Sequence, residues 1–201
     1  MNPFIYYVPT KICFGKGEIS HLAELRESGE RVLLVYGGGS IRRNGIYDTA
    51  VRILEDAGLT VLPMGGVEPN PRVETVRKGI ELCRKEKIDM VLAIGGGSSI
   101  DCAKAIAAGT LYAGDVWELM GRADLIRAAL PVYTVLTMSA TGSEMNKNAV
   151  ISNPATNEKL AMYSDLLKPR MSVCDPTYTF SVPPLQTAAG TADMISHGFE
   201  N

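Results

Sequence analysis

The distribution of apolar and polar positions along the chain predicts strands that alternate with helices. Short apolar runs that predict strands lie at 31–36, 60–63, 90–94, 131–136 and 171–174. Helical spacing of apolar residues occurs at 17–28, 46–57 and 72–86, and in a segment that ends near Ala108. Short buried runs between amphipathic helices indicate a parallel sheet with helices on both faces. We therefore predict an α/β fold.

Three weaker features complete this pattern. Aromatic and β-branched residues alternate from Phe4 to Phe14 around Pro9, which predicts one or two edge strands. A further short strand is expected at 149–151, and helical spacing resumes near Pro184.

Composition excludes several classes of protein. Among 201 residues, 46% are hydrophobic and the net charge is −2, so we expect neither a nucleic-acid partner nor an anionic membrane partner. No apolar run approaches the ~18 residues of a membrane-spanning helix, and the first residues lack the features of a signal peptide. The four cysteines form no Cys-x-x-Cys pair, which is typical of a reducing cytoplasm.

The run Gly95-Gly-Gly-Ser-Ser-Ile-Asp101 follows a predicted strand and opens a predicted helix. Glycine lets the backbone approach a ligand closely, and a helix N-terminus attracts phosphate groups. The run therefore predicts a phosphate site, although it is neither Gly-x-Gly-x-x-Gly nor a Walker loop. The alternative is a tight strand-to-helix turn in which Ser98 and Asp101 form a capping box.

A second glycine turn, Gly37–Ser40, follows the predicted strand at 31–36. No acidic residue stands there to bind a ribose 2′-hydroxyl, whereas Arg42 and Arg43 follow closely. This combination suits a 2′-phosphate, and the alternative is a loop with two solvated arginines. Hydroxyl residues from Thr137 to Ser143 follow another strand and suit a ribose or pyrophosphate, although Thr141 and Glu144 also fit a capping box.

Asp193 and His197 stand four residues apart in a predicted helix. Positions i and i+4 share one helix face, so a carboxylate and an imidazole there suit one divalent metal ion. They form half of a site at most, because His21, the only other histidine, is far away in sequence. The alternative is a surface pair that contributes a few tenths of a kcal/mol.

These motifs together resemble the iron-containing (group III) alcohol dehydrogenases. The runs that carry the resemblance are Gly95–Lys104, Thr137–Glu144, Asp175-Pro176 and Gly190–His197. Within that family the similarity is strongest to the branch of butanol dehydrogenases and NADPH-dependent aldehyde reductases. The motifs extend over essentially the whole chain.

The resemblance implies a dehydroquinate-synthase-like nucleotide-binding domain over residues 1–182. Residues 183–201 would then begin a helical metal-binding domain whose remainder is absent, because such enzymes are nearly twice as long as this chain. It also implies that Asp193 and His197 bind the metal, Fe²⁺ with Zn²⁺ as the alternative. The cofactor contacts that it implies, together with the phosphate turn, are Gly38, Gly39, Ser40, Asn70, Gly96, Gly97, Ser98, Ser99, Asp101, Thr137, Ser139, Thr141, Asn148 and Lys159.

The function expected from this resemblance is a metal-dependent oxidoreductase that interconverts primary alcohols and aldehydes. NADP(H) is expected to be preferred over NAD(H), with Asp101 and Lys159 as cofactor-positioning residues. We expect a small alcohol or aldehyde as the substrate, a cytoplasmic location and a homodimer at full length. Two alternatives stay open: a non-catalytic nucleotide-binding module and a zinc-dependent relative that acts on polyols.

Overall fold

A computed structural model describes residue 3 and residues 7–200, without the side chains of His197 and Glu200. Positions 4–6 of the first predicted strand therefore lie outside the described residues. The strands are β1 (Lys11–Phe14), β2 (Arg31–Tyr36), β3 (Thr60–Met64), β4 (Met90–Gly95), β5 (Val132–Leu136), β6 (Asn148–Asn153), β7 (Glu158–Tyr163) and β8 (Met171–Cys174). The α-helices are α1 (Ser40–Arg43), α2 (Ile46–Asp56), α3 (Val73–Glu86), α4 (Gly97–Leu111) and α5 (Pro184–Glu200). Helices of the 3-10 type span Glu18–Ser28, Val116–Leu119, Ala123–Leu125, Asp165–Leu167 and Pro176–Ser181.

Six of the strands form one parallel sheet in the order β1-β8-β5-β4-β2-β3. All six residues of β4 are buried, because this strand lies inside the sheet and is covered on both faces. The predicted parallel sheet is thus confirmed, with β1 at one edge as expected from the alternation around Pro9. The carboxyl ends of β2, β4 and β5 meet at one side of the sheet.

Two apolar clusters sandwich this sheet. Leu33 and Val91 face one cluster, to which α3 and α4 contribute their buried residues. Leu34 and Leu92, the next residues along the same strands, face the other cluster, which α2 and the first 3-10 helix complete. Successive side chains of a strand point to opposite faces, so continuous apolar runs are required when both faces are covered. Helices on both faces are therefore confirmed.

The segment predicted as a helix over 17–28 is a 3-10 helix instead. Its buried residues are Ile19, Leu22 and Leu25, which recur every third position. In a 3-10 helix, residues i and i+3 lie directly above one another, so this spacing places all three against the sheet. An α-helix of the same sequence would spread them around a wider arc.

The strand predicted at 149–151 exists but does not join the main sheet. It is part of β6, which pairs antiparallel with β7 in a separate hairpin. Ala149, Ile151 and Met162 place one face of this hairpin in the cluster that contains α4. The sequence analysis missed β7, because all its residues except Met162 are exposed and its apolar pattern is weak.

No helix in the described part of the chain is long and apolar enough to cross a membrane.

Helices α3 and α4 pack closely because Gly79 leaves room for Ile106. A Cβ at Gly79 would lie 2.7 Å from Cγ1 of Ile106 and 3.1 Å from Sδ of Met64. We predict that Gly79→Val lowers the free energy of unfolding by about 1–3 kcal/mol through overpacking. Urea unfolding measures this loss.

Gly190→Val is the matched control, because it makes the same change in α5, where a Cβ would meet no atom within 4 Å. The control should change the free energy of unfolding by less than about 0.5 kcal/mol. Equal losses in the two variants would show that the α3–α4 contact does not depend on Gly79.

Candidate cofactor-binding site

The carboxyl ends of β2, β4 and β5 surround a cleft of about 550 Å³. Parallel strands bring the segments that follow them to one side of the sheet, where ligands of such sheets bind. The predicted cofactor residues in its wall are Gly38, Gly39, Ser40, Gly96, Gly97, Ser98, Ser99, Thr137 and Thr141. The structure therefore brings together the two glycine turns and the threonine-rich turn.

The N-terminus of α4 lies in the wall of the cleft. A Cβ at Gly97 would lie 2.5 Å from Oγ1 of Thr141, so glycine is needed for the two turns to meet. A 15-residue helix with its N-terminus at a cleft offers backbone N–H groups and the positive end of its dipole. This geometry suits a phosphate group.

Neither of the two capping boxes that stood as alternatives is present. Helix α4 begins after Gly96 without a side-chain cap. Ser98 Oγ accepts a hydrogen bond from the backbone N–H of Asn70 at 3.3 Å, and the Asp101 carboxylate is bound elsewhere. Thr141 Oγ1 accepts from the Ser143 N–H at 3.2 Å, but no helix begins there.

The first glycine turn is open at Gly38, where an added Cβ would meet no atom within 4 Å. Arg42, expected near a 2′-phosphate, is held beside this turn by two tyrosines. Its guanidinium lies 3.7 Å from the ring centroid of Tyr47 and donates to the Tyr36 hydroxyl at 2.7 and 3.1 Å. That hydrogen bond raises the pKa of Arg42. Arg43 is exposed.

A polar group next to the cleft joins residues that are distant in sequence. Lys159 Nζ on β7 donates to Oδ1 of Asn70 at 2.7 Å. Asn70 adopts a left-handed conformation with φ 58°, which asparagine tolerates better than most residues. Asn148 begins β6, and its side chain is exposed. Ser139 is exposed and does not contribute to the wall of the cleft.

Asp101 is the half-buried carboxylate of this polar group. Its Oδ1 accepts from the Ser143 hydroxyl at 2.6 Å, and its Oδ2 accepts from the Val150 N–H at 3.0 Å. Burial raises the pKa of Asp101, while these two hydrogen bonds and the charges of Lys104 and Lys159 oppose the rise. The carboxylate therefore has a fixed orientation and a charge that depends on its neighbours.

The wall of the cleft also contains residues that the sequence analysis did not name. They include Glu68 and Pro69 after β3, and Val182, Pro183 and Gln186 around the start of α5. Glu68 adds a carboxylate, which accepts from the Thr75 hydroxyl at 2.9 and 3.0 Å. The Pro-Asn-Pro run beside Glu68 marks a turn after a strand, and that feature was available in the sequence.

Positions 193 and 197, the two predicted metal ligands, stand four residues apart in α5. The side chain of Asp193 is exposed, and that of His197 lies outside the described residues. The described residues contain no group of three or more histidine, cysteine or acidic side chains placed to hold a metal ion. A complete metal site is therefore not present among them, and the assignment of these two ligands stays a prediction.

Comparison with known proteins identifies the sequence family. The family model for iron-containing alcohol dehydrogenases matches residues 9–176. The chain is 56% identical to NADH-dependent butanol dehydrogenase A of Clostridium acetobutylicum, covering 100% of this chain and 52% of that protein. It is 42% identical to the NADPH-dependent aldehyde reductase YqhD of Escherichia coli, again over 100% of this chain and 52% of the relative. The chain thus spans about half the length of these curated relatives.

Solved structures agree with this assignment. The crystal structure of NADH-dependent butanol dehydrogenase A from Thermotoga maritima superposes with a TM-score of 0.94 at 46% identity. The match covers 98% of this chain and 50% of the chain in that crystal structure. The structure of YqhD gives a TM-score of 0.92 at 42% identity, with the same coverage. The predicted nucleotide-binding fold is therefore confirmed.

The buried amine of Lys104 makes stability depend on pH in a defined window. Burial lowers the pKa of Lys104 from 10.5 to about 8. Between these values the folded chain has lost the proton that the unfolded chain still binds, so stability rises with pH. We predict that the free energy of unfolding of the wild type, measured relative to Lys104→Met, rises by about 2 kcal/mol from pH 7.5 to 9.5.

Urea unfolding at several pH values tests this expectation. Lys159→Met is the matched control, since it removes a lysine whose side chain is exposed. The free energy of unfolding of Lys159→Met should change with pH in the same way as that of the wild type. A constant difference between wild type and Lys104→Met over this range would contradict the prediction.

Proposed function

Because the chain belongs to the iron-containing alcohol dehydrogenase family, we propose that it is the cofactor-binding half of an oxidoreductase. The reaction we assign is the interconversion of primary alcohols and aldehydes with a nicotinamide cofactor. The observation that carries the proposal is the cleft of about 550 Å³ at the carboxyl ends of β2, β4 and β5. Two glycine turns and a helix N-terminus in its wall support dinucleotide binding.

We assign the cofactor phosphates to the two glycine turns and the N-terminus of α4. Gly38 and Gly96 allow close approach of the backbone to the ligand, since added Cβ atoms there would meet no atom closer than 3.3 Å. Asp101, Asn70 and Lys159 are the positioning residues, because they form a polar group next to the cleft. A bound nicotinamide supplies the hydride, while the chain supplies orientation and charge.

NADP(H) is the cofactor that we propose to be preferred. The turn at Gly38 and Gly39 has no carboxylate that would repel a 2′-phosphate, and Arg43 is exposed close by. NAD(H) is the second candidate, because relatives 52–56% identical to this chain are named as NADH-dependent butanol dehydrogenases or probable ones. Two tyrosines also hold Arg42, which reduces its freedom to reach a phosphate.

We further propose that residues 183–201 begin a second, helical domain that completes the metal site. The exposed apolar side chains of α5, at Leu185, Met194, Ile195 and Phe199, support this boundary, because an isolated helix gains little from them. Asp193 and His197 would supply two ligands, and the remaining ligands would come from outside these 201 residues. A metal ion bound there would polarise the oxygen atom of the substrate.

Two features support the proposed compartment and assembly. The four cysteines are free, in agreement with a reducing cytoplasm. Among the described residues, strand β1 lies at the edge of the sheet and exposes Phe14, and an edge strand can pair with a second copy of the chain. A cytoplasmic homodimer is therefore part of the proposal.

The first prediction from this proposal concerns the choice of cofactor. Gly38→Asp places a carboxylate in the open turn, whereas Gly38→Asn places a neutral side chain of the same shape there. We expect NADPH to bind at least about tenfold more weakly to the Asp variant than to the Asn variant, because like charges repel. NADH should bind the Asp variant at least as tightly as the Asn variant, because a carboxylate there accepts a hydrogen bond from the ribose 2′-hydroxyl.

Fluorescence titration of both cofactors gives these dissociation constants. Wild-type protein that binds NADH more tightly than NADPH would overturn the proposed preference in favour of NAD(H). Equal effects of the two substitutions on both cofactors would show that Gly38 does not lie near the 2′-position.

The second prediction concerns the metal. Two ligands from one helix hold a metal ion weakly, because protein metal sites use four or more. We expect the 201-residue chain to retain far less than one Fe²⁺ or Zn²⁺ per molecule after dialysis, and to reduce no butyraldehyde. Cofactor binding by the same preparation is the control that shows it is folded. Stoichiometric metal together with turnover would contradict the proposed division of the site.

A further inference from the structure

Lys104 is a buried lysine for which the proposed function provides no role. Its side chain is fully buried on α4, one turn after Asp101, and it does not contribute to the wall of the cleft. An ammonium group is costly to bury without partners, so its contacts indicate what it does.

The Lys104 ammonium binds one segment of chain at several points. Its Nζ donates to Ser143 Oγ at 3.0 Å, to the Asn146 carbonyl at 2.8 Å and to Asn146 Oδ1 at 3.0 Å. A fourth acceptor, the Asn148 carbonyl, lies at 2.9 Å. These partners extend from the end of the threonine-rich turn to the first residue of β6. Lys104 therefore fixes the path of this segment.

Ser143 connects Lys104 to Asp101. Its hydroxyl has a single proton, which it donates to Asp101 Oδ1 at 2.6 Å. The same oxygen must then accept the hydrogen bond from Lys104. The ammonium group therefore donates to the hydroxyl, and the hydroxyl donates to the carboxylate. Each of these hydrogen bonds strengthens the next.

We propose that Lys104 is a positioning residue that acts through Ser143 to keep Asp101 charged and in one orientation beside the cofactor. This inference rests on the proposed function, which assigns the cofactor to the neighbouring cleft. A carboxylate that carries its charge only accepts hydrogen bonds, whereas a protonated one also donates. Lys104 would therefore decide which groups of the cofactor Asp101 can bind.

The electrostatic surroundings agree with this role. Burial raises the pKa of Asp101, and the hydrogen bond from Ser143 and the charge of Lys104 both lower it. The other charged groups that act on the pair are Lys159 from β7, which also lowers the pKa of Asp101, and Glu144, which raises that of Lys104. The loss of Lys104 or of the Ser143 hydroxyl should therefore make Asp101 easier to protonate.

The test uses four variants of the whole chain. Lys104→Met and Ser143→Ala break the connection to Asp101, and Ser143→Thr keeps the hydroxyl. Thr134→Val is the control, because it also removes a buried hydroxyl close to the threonine-rich turn. Thr134 Oγ1 donates to Ser172 Oγ at 2.8 Å, and Ser172 Oγ donates to the Glu144 carbonyl, so this pair does not touch Asp101.

Two measurements follow each variant: the titration midpoint of Asp101 by carboxyl ¹³C NMR, and the dissociation constants of NADPH and NADH as a function of pH. We expect Lys104→Met and Ser143→Ala to raise the midpoint by about one pH unit. Compared with the wild type, these two variants should bind the preferred cofactor up to about tenfold more weakly at pH values below their raised midpoint. Above that midpoint their affinity should return to that of the wild type. Ser143→Thr and Thr134→Val should keep the wild-type midpoint and pH profile.

The inference is overturned if the midpoint stays unchanged in folded Ser143→Ala, or rises equally in Thr134→Val. It is also overturned if the midpoint rises while the pH profile of cofactor binding does not. Ser143→Ala retains the buried lysine, so the test stands even where Lys104→Met fails to fold. Wild-type protein that binds neither cofactor would instead overturn the proposed function, and the two failures are therefore distinguishable.

Discussion

The parallel pairing of β2, β4 and β5 is the constraint on which the rest of the structure depends. Parallel neighbours require a crossover connection, so each strand must be followed by a segment that returns over one face of the sheet. The carboxyl ends then gather at one side, together with the first residues of each crossover. In this chain those residues are the glycine turns at 37–40 and 95–97 and the threonine-rich turn after β5. The cleft follows from the topology, and its chemistry follows from the residues placed at these ends.

The same constraint explains why glycine stands where it does. The turns after β4 and β5 emerge from neighbouring strands only about 5 Å apart, so their side chains compete for the same space. At Gly97 even a methyl group would collide with Thr141, whereas at Gly38 an added Cβ would meet no atom within 4 Å. Gly97 therefore serves the packing of one turn against the other. Gly38 leaves space that the described residues do not fill, and such space is the better indication of a ligand.

Much of the fold could be predicted from the sequence, because the strands inside the sheet are continuous apolar runs. The strand β4 was predicted to within one residue, and the turns that flank the cleft follow directly from such strands. The hairpin strand β7 could not be predicted, since only Met162 is buried there. Local spacing was also misleading: Ser98 and Asp101 have the spacing of a capping box, yet Asp101 binds partners 42 and 49 residues away. Such contacts arise from tertiary packing, which no local pattern encodes.

The position of α5 relative to the cleft links the two halves of the proposed site. Gln186, near the start of this helix, contributes to the wall of the cleft. Asp193 follows seven residues later and His197 eleven residues later, and at about 100° per residue both return to within about 20° of the direction of Gln186. The three positions thus form one stripe along the helix. At a rise of about 1.5 Å per residue, the stripe leads from the cleft to the two predicted metal ligands in roughly 10 to 17 Å. The register of α5 therefore determines how the two predicted ligands are placed relative to the cleft.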